Sequence, residues 1–141
     1  MRGTYALLVH VPYDLAISVG ELGTLSFRAG YYVYVGSALG GLEARVRRHL
    51  RAEKALRWHI DYLLARARAV DVVFARSDEK KECEIAAELS KHLEGVRGFG
   101  SSDCRCETHL FYGPDLNELL RQVLLSFKAS GLKPVKGGTF G

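Results

Sequence analysis

The chain has 141 residues, of which 48% are apolar and 26% charged, and it contains 3 Cys. This length suits one globular domain with a sizeable core. No apolar run approaches the roughly 18 residues of a membrane span, and residues 1–10 lack a signal-peptide pattern. We therefore expect a cytoplasmic protein without a membrane partner. Three Cys in a chain of this length cannot build a disulfide framework, which favours reduced thiols or a metal site.

The formal net charge is only +4, but the charge is unevenly distributed. Residues 42–68 carry eight Lys and Arg against three Asp and Glu, so this segment is +5 and the rest of the chain is −1. Such a basic segment can contact nucleic acid, although a solvated helix face with extra arginines is the commoner cause.

The first quarter of the chain has the pattern of strands. Residues 4–11 are rich in β-branched and apolar side chains and end at Pro12, which predicts a first strand. Residues 16–19 and 24–27 flank a Gly-Glu-Leu-Gly turn, which indicates a small inserted hairpin. Residues 30–36, with the sequence GYYVYVG, predict the strongest strand because aromatic and β-branched side chains are bounded by glycines.

From Leu42 onwards the apolar period becomes that of a helix, with Leu42, Val46 and Leu50 in register. The pattern then predicts a second helix within 56–67 and a strand over 70–74. A helix over 79–93 follows, with Ser77 or Asp78 as its N-cap. A short strand over 106–112 and an amphipathic helix over 116–127 complete the predicted elements. We predict one domain over residues 1–130, followed by a flexible basic tail over 131–141.

The helix that begins at Leu42 presents two kinds of basic side chain. On a helical wheel Arg45 and His49 lie beside the buried arc, whereas Arg47, Arg48 and Arg51 face solvent. This division suits a phosphodiesterase, with the first pair near the reacting phosphate and the outer arginines along the nucleic-acid backbone. The alternative is an ordinary half-exposed helix whose Arg and His lie at the edge of the core.

Three motifs resemble the signature of the GIY-YIG nuclease superfamily. They are Gly-Thr-Tyr at residues 3–5, Tyr-Val-Gly-Ser-Ala at residues 34–38, and Arg45 with His49 in the next helix. Segments at residues 58–62, 82–83 and 98–104 resemble a small branch found mainly in archaea and sometimes attached to DNA-repair glycosylases. The resemblance covers nearly the whole chain. It implies an α/β fold of the α+β type, in which helices flank a small, mainly antiparallel central sheet and a hairpin is inserted between the two motif strands.

The resemblance also implies an endonuclease that hydrolyses phosphodiester bonds with one Mg²⁺ or Mn²⁺. Tyr5 would be the base or proton relay for the attacking water, Tyr34 would help to orient the water, and Arg45 would offset charge on the phosphate. His49 and His59 would assist, with a hydrogen bond inside the core as the alternative for His59. A tyrosine of pKa ~10 is a poor base at neutral pH unless nearby cations favour its phenolate, and Arg45 and the metal would supply that charge.

The resemblance places the metal ligand on the helix after the third strand, where we choose Glu82, with Glu84 as the second choice. A carboxylate oxygen suits Mg²⁺ or Mn²⁺, and Ile85 and Ala86 would turn Glu82 inward. The alternative is that both glutamates interact only with the helix dipole. Tyr5 lies 29 positions before the second motif tyrosine, a longer spacing than in most members, and the inserted hairpin would absorb the difference.

The cysteines suggest a second metal. Cys104, Cys106 and His109 form a C-x-C-x2-H pattern, and Cys83 adjoins the proposed carboxylate ligand. Four such ligands could hold structural Zn²⁺. The pattern is not the usual C-x2-C knuckle, and free Cys is common in protein cores, so a set of core thiols is the alternative.

Three functions remain open at this point. The leading hypothesis is a metal-dependent DNA endonuclease that acts on repair or recombination intermediates, with RNA as an alternative substrate and a DNA-repair protein as a candidate partner. The second is a non-catalytic module that binds nucleic acid through its basic residues, which are Arg47, Arg48, Arg51, Lys54 and Arg57. The third is a protein-interaction domain whose basic helix meets an acidic partner.

Overall fold

The computed structural model describes residues 1–102 and 104–137. Within these residues the chain forms a six-stranded sheet, a separate two-stranded hairpin and four α-helices. All strand pairs are antiparallel. The predicted fold class, a mainly antiparallel sheet with flanking helices, is confirmed. No helix in the described part of the chain is long and apolar enough to cross a membrane.

The elements have the following bounds. The strands are β1 (Gly3–Val11), β2 (Leu15–Ser18), β3 (Thr24–Phe27), β4 (Gly30–Ala38), β5 (Arg68–Arg76), β6 (Glu94–Gly95), β7 (Leu110–Gly113) and β8 (Val135–Lys136). The helices are α1 (Leu42–Leu50), α2 (His59–Leu64), α3 (Glu82–Ser90) and α4 (Leu116–Ala129). The sheet order is β6-β7-β4-β1-β5-β8, and β2 pairs with β3 as the inserted hairpin.

The two central strands separate two apolar layers. Side chains alternate across a strand, so Tyr5 and Leu7 of β1 point to one face of the sheet and Ala6 and Leu8 to the other. On the first face β1 and β4 pack against α1, α2 and the hairpin. On the second face they pack against α3 and α4. Both faces are covered, which explains why β1 and β4 read as nearly continuous apolar runs.

The structure corrects several predicted boundaries. α2 covers only six residues, because the start of the predicted helix lies in the loop that follows α1. α3 begins at Glu82 rather than residue 79. Ser77 does not cap it, since its hydroxyl contacts Thr4 and donates to the Glu79 carbonyl. The strand predicted over 106–112 begins only at Leu110.

The helical wheel of α1 also needs correction. Leu50, expected in the buried arc, is 45% exposed, whereas His49 is buried. Leu50 is the last residue of the helix. The buried residues of α1 are Leu42, Val46 and His49, so the buried face includes His49 and excludes Leu50. In the predicted tail, β8 pairs with β5, while residues 138–141 lie outside the described residues.

Candidate active site at the ends of the central strands

Tyr5 lies on the first face of the sheet, directly opposite Gly36 of β4. A Cβ atom at position 36 would come within 2.5 Å of the Tyr5 hydroxyl oxygen. Only glycine therefore leaves room for the ring to lie across the neighbouring strand. The two predicted motifs meet here, because the glycine of one makes space for the tyrosine of the other.

The hydroxyl of Tyr5 lies 2.7 Å from Nε2 of His49, and both side chains are buried. Burial lowers the pKa of His49 to about 4. Burial also raises the pKa of Tyr5 far above its ordinary value, with Tyr34 adding to the rise and Arg45 opposing it. Arg45 by itself therefore does not produce the phenolate, and the prediction of a phenolate rests on Arg45 together with a bound metal. At neutral pH both groups are uncharged, and one hydrogen bond joins them.

Nδ1 of His49 is buried and has no hydrogen-bond partner among the described residues. The ring is held instead by aromatic neighbours, with centroids 6.1 Å from Tyr34 and 5.9 Å from Trp58. Tyr34 lies 6.4 Å from Tyr5, centroid to centroid. The two predicted tyrosines and the predicted histidine thus form one aromatic cluster.

Arg45 is half-buried at the edge of this cluster. Its Nη1 donates to the carbonyl oxygen of Ser37 at 3.1 Å, and its Cζ lies 4.6 Å from the ring centroid of Trp58. Arg48 and Arg57 approach the same ring at 4.3 and 5.2 Å. The ring of Trp58 therefore makes cation–π contacts with all three arginines. Sequence reasoning missed this role, and the only available signal was that Trp58 precedes the motif histidine.

The prediction that Arg48 faces solvent is wrong. Its side chain is 16% exposed, and Nη1 and Nη2 donate to Oδ1 and Oδ2 of Asp61 at 2.9 and 3.0 Å. Burial alone would raise the pKa of Asp61, but hydrogen bonds from Arg48 and from the Trp58 and Arg57 backbones outweigh it and the pKa is lowered. This bidentate pair ties α1 to the start of α2. It leaves Arg48 little freedom to bind a phosphate.

Lys54 is also engaged within the fold. Its Nζ donates to the carbonyl oxygens of His49 and Arg51 at the end of α1, where a cation suits the helix dipole. The exposed members of the predicted nucleic-acid-binding set are Arg47, Arg51 and Arg57. We refer to these three exposed arginines, of which Arg57 approaches the ring of Trp58, as the basic surface.

Glu82 reaches the same strand ends from the second face. It is the first residue of α3, and its Oε2 accepts a hydrogen bond from the hydroxyl of Ser37. The Ser37 carbonyl accepts from Arg45, so this one residue bridges the predicted metal ligand and the predicted phosphate-binding arginine. Ile85 and Ala86 are buried, as expected. Sequence reasoning did not assign a role to Ser37.

Glu84 and His59 have other partners. The carboxylate of Glu84 is exposed and lies 3.1 Å from Nζ of Lys81, which favours Glu82 as the inward glutamate. Nδ1 of His59 accepts from the backbone N–H of Gly100 at 2.8 Å, and burial lowers the pKa of this histidine. His59 thus makes the core hydrogen bond considered as its alternative role.

Close to Glu82 lies the group formed by Cys83, Cys104, Cys106 and His109. Their sulfur and nitrogen atoms all lie within 4.8 Å of one another, so the group is close enough to bind a metal. Burial raises the pKa values of the Cys83 and Cys106 thiols. Burial lowers the pKa of His109, which keeps its imidazole neutral and available as a ligand.

The chain matches the family described as a domain of unknown function, DUF123, over residues 4–132. The match covers most of the chain, so the protein belongs to this family. Comparison with curated proteins and with solved structures finds no significant match. The matched range contains every residue of the aromatic cluster, the glutamate and the thiol group described above.

Proposed function

We propose that the protein is a divalent-metal-dependent endonuclease that hydrolyses phosphodiester bonds in DNA. One observation carries this proposal. The Tyr5–His49 hydrogen bond and Arg45 lie at the same strand ends that Glu82 reaches through Ser37. The resemblance of the motifs at residues 3–5 and 34–38 to GIY-YIG nucleases gives independent support.

The oxygen donors at this position fit Mg²⁺ or Mn²⁺. Glu82 offers a half-buried carboxylate and Ser37 a hydroxyl, both hard ligands. Mg²⁺ keeps several waters and is commonly held by only one or two protein carboxylates together with substrate phosphate. When bound there, such a cation supplies positive charge for the leaving oxygen of the phosphodiester.

The neutral Tyr5–His49 pair can move a proton without a phenolate. In the relay, a water molecule gives a proton to the Tyr5 oxygen while the Tyr5 hydroxyl proton passes to Nε2 of His49. The water oxygen forms a bond to phosphorus, and the bond to the leaving oxygen breaks with its electron pair on that oxygen, which then takes a proton from solvent. Tyr5 remains neutral and His49 becomes an imidazolium. This route requires the tautomer of His49 that carries its proton on Nδ1, the atom that has no hydrogen-bond partner in the described part of the chain.

Arg45 is placed to offset charge on the phosphate, since its guanidinium borders both Tyr5 and Ser37. The exposed Arg47, Arg51 and Arg57 would hold the DNA backbone without reading its sequence. Tyr5 is only 1% exposed. Contact between its hydroxyl and the attacking water therefore requires the neighbouring side chains to open when DNA binds.

The same burial of Tyr5 favours a second candidate function. A tyrosine that solvent does not reach is suited to packing, so a non-catalytic module that binds nucleic acid through the basic surface is the alternative. A DNA-repair protein as partner and a cytoplasmic location stay predictions under either function.

The test compares Glu82→Ala with the matched control Glu84→Ala. Duplex, flap, branched and single-stranded DNA, and RNA of the same sequences, are incubated with Mg²⁺ or Mn²⁺ and with excess chelator. We expect metal-dependent cleavage that falls by about 10³-fold in Glu82→Ala and is unchanged in Glu84→Ala, because only Glu82 reaches the strand ends. Binding without cleavage of any substrate would favour the non-catalytic module. Cleavage in excess chelator would reject the metal-dependent reaction.

A further inference from the structure

We propose that Cys83, Cys104, Cys106 and His109 form a zinc centre that fastens residues 104–109, which precede β7, to the first turn of α3. The cluster lies outside the Tyr5 aromatic cluster and takes no part in the proton relay. Its existence does not depend on the proposed nuclease activity. Only its effect on Glu82 rests on that activity.

The distances between the ligand atoms fit a tetrahedron. With Zn–S of about 2.3 Å and Zn–N of about 2.0 Å, a tetrahedral centre separates sulfur from nitrogen by about 3.5 Å and two sulfurs by about 3.8 Å. Nε2 of His109 lies 3.4 Å from Sγ of Cys104 and 3.8 Å from Sγ of Cys83. All four ligand atoms lie within 4.8 Å of one another. One zinc ion can therefore be accommodated with small side-chain movements.

The ligand types point to a structural centre. Three thiols and one imidazole give the Cys3His set of closed zinc sites, in which no position is left for water or substrate. The three cysteines are free of disulfides.

The fold around the cluster shows what the ion would hold. Cys104 and Cys106 lie between β6 and β7, and the N–H of Cys104 donates to the carbonyl oxygen of Ser101 at 3.4 Å. Cys83 lies on α3, 21 positions earlier than Cys104, and His109 immediately precedes β7. A metal joining these segments would close long chain loops, which stabilises a fold by limiting its unfolded state.

The position of Cys83 gives the centre a consequence for its neighbour. Cys83 follows Glu82 directly, so a bound zinc would fix the first turn of α3 and hold the Glu82 carboxylate towards Ser37. We therefore assign zinc a positioning role for Glu82. Zinc itself would contact neither the water nor the phosphate.

The first experiment measures metal in the purified full-length chain by elemental analysis and replaces the metal with Co²⁺. We expect about one zinc per chain and, with Co²⁺, the thiolate charge-transfer bands and intense d–d bands of a tetrahedral site. A chain purified without zinc that also gives no tetrahedral Co²⁺ spectrum would overturn the proposal. A disulfide between two of the three cysteines in the freshly purified protein would do the same.

Variants test which residues hold the ion. Cys104→Ser and His109→Ala should lose the metal, whereas His109→Cys should keep it as a four-thiolate site. His92→Ala is the control, because His92 is exposed on the segment after α3. His109→Cys distinguishes loss of a ligand from misfolding, because it replaces the histidine with another residue that can bind zinc. Full zinc content in both Cys104→Ser and His109→Ala would overturn the assignment.

Hydrogen exchange separates the two proposals. Removal of zinc with a zinc-selective chelator should increase amide exchange in residues 104–109 and in the first turn of α3. One zinc per chain with no cleavage of any nucleic acid would uphold the centre and reject the proposed function. Cleavage by a chain that binds no zinc would do the opposite.

Discussion

The two faces of the sheet contribute to the candidate site in different ways. On the first face Tyr5, Tyr34 and His49 are buried, their rings pack against one another, and a neutral hydrogen bond joins Tyr5 to His49. On the second face Glu82 and Cys83 are half-buried, polar and close to further ligand atoms. One half is arranged by apolar packing, whereas the other gathers groups that bind cations. Packing alone therefore preorganises the side chains of the first face, whereas the ligand groups of the second face would be ordered by bound cations.

Loss of the Arg48–Asp61 pair should have the largest effect, and it should be confined to the first face. Asp61→Asn leaves Arg48 half-buried without its anion, and we expect the free energy of unfolding to fall by about 3 kcal/mol. Chemical denaturation measures this loss. Asp78→Asn, at an exposed position before α3, is the control and should change little. A loss of zinc in Asp61→Asn would show that the two faces are not independent.

Removal of the Tyr5 hydroxyl tests the proton relay while keeping the ring. We expect Tyr5→Phe to lower the single-turnover cleavage rate by roughly 10²-fold, the scale of a positioned proton-transfer group. DNA binding should hold, and the loss of stability should be about 1 kcal/mol for one hydrogen bond.

The control for this change is Tyr31→Phe. Tyr31 packs on the second face and stacks on His10 at 4.8 Å, centroid to centroid. Melting curves identify unfolding in either variant. Wild-type cleavage by Tyr5→Phe would remove the tyrosine from the mechanism and favour the binding module.

The pH dependence of the free energy of unfolding tests whether His49 is buried from water. The pKa of His49 is about 4 in the folded chain and about 6.5 when unfolded. The unfolded chain therefore binds more protons between these values, and stability is lost as pH falls. We expect His49 to account for about 2 kcal/mol of the loss between pH 7.5 and pH 5.

His49→Gln isolates this contribution, because Gln keeps an acceptor for the Tyr5 hydroxyl. Burial also lowers the pKa of His59 and of His109. Both residues therefore make stability fall with falling pH, and they do so equally in the wild type and in the variant. The difference between the two curves belongs to His49. Equal slopes would mean that water reaches its ring.

The exposed arginines should give the smallest effect. Replacing Arg47, Arg51 and Arg57 by Ala should weaken DNA binding and reduce the slope of log K against log salt by up to about 3, since each phosphate contact contributes about 0.9. The matched control removes three exposed cations next to the second face, which are Lys91, Arg121 and Lys128. Similar slopes in the two triple variants would show that net charge, and not the basic surface, sets the affinity.

The sequence predicted elements whose pattern is strong over their whole length. β1, β3, β4, α1 and α4 were placed within two residues of their observed bounds, because apolar periodicity and glycine boundaries report burial locally. Strand parity also placed Tyr31 on the face opposite Tyr34. The two-residue strands β6 and β8 carry no such pattern, since they are defined by their partners.

Long-range partners were the part that sequence reasoning missed. A helical wheel placed Arg48 in solvent, because nothing local shows that Asp61, 13 positions later, folds back to it. Ser37 was seen only as a motif residue, since its bonds come from α1 and α3. The wheel also could not show that the buried arc of α1 turns towards His49 at its last turn. Each of these depends on how helices dock on the sheet.

The short outer strands have a consequence for how the molecule behaves among its copies. β1 and β4 lie inside the sheet, and its outermost strands, β6 and β8, are two residues long. A long open edge exposes unpaired backbone groups and acts as a template for a strand of another chain, whereas very short edge strands offer little to add to. The pairing of Val135 and Lys136 with Phe74 and Val73 thus blocks that stretch of the outer edge of the nine-residue β5 against the addition of a strand from another chain.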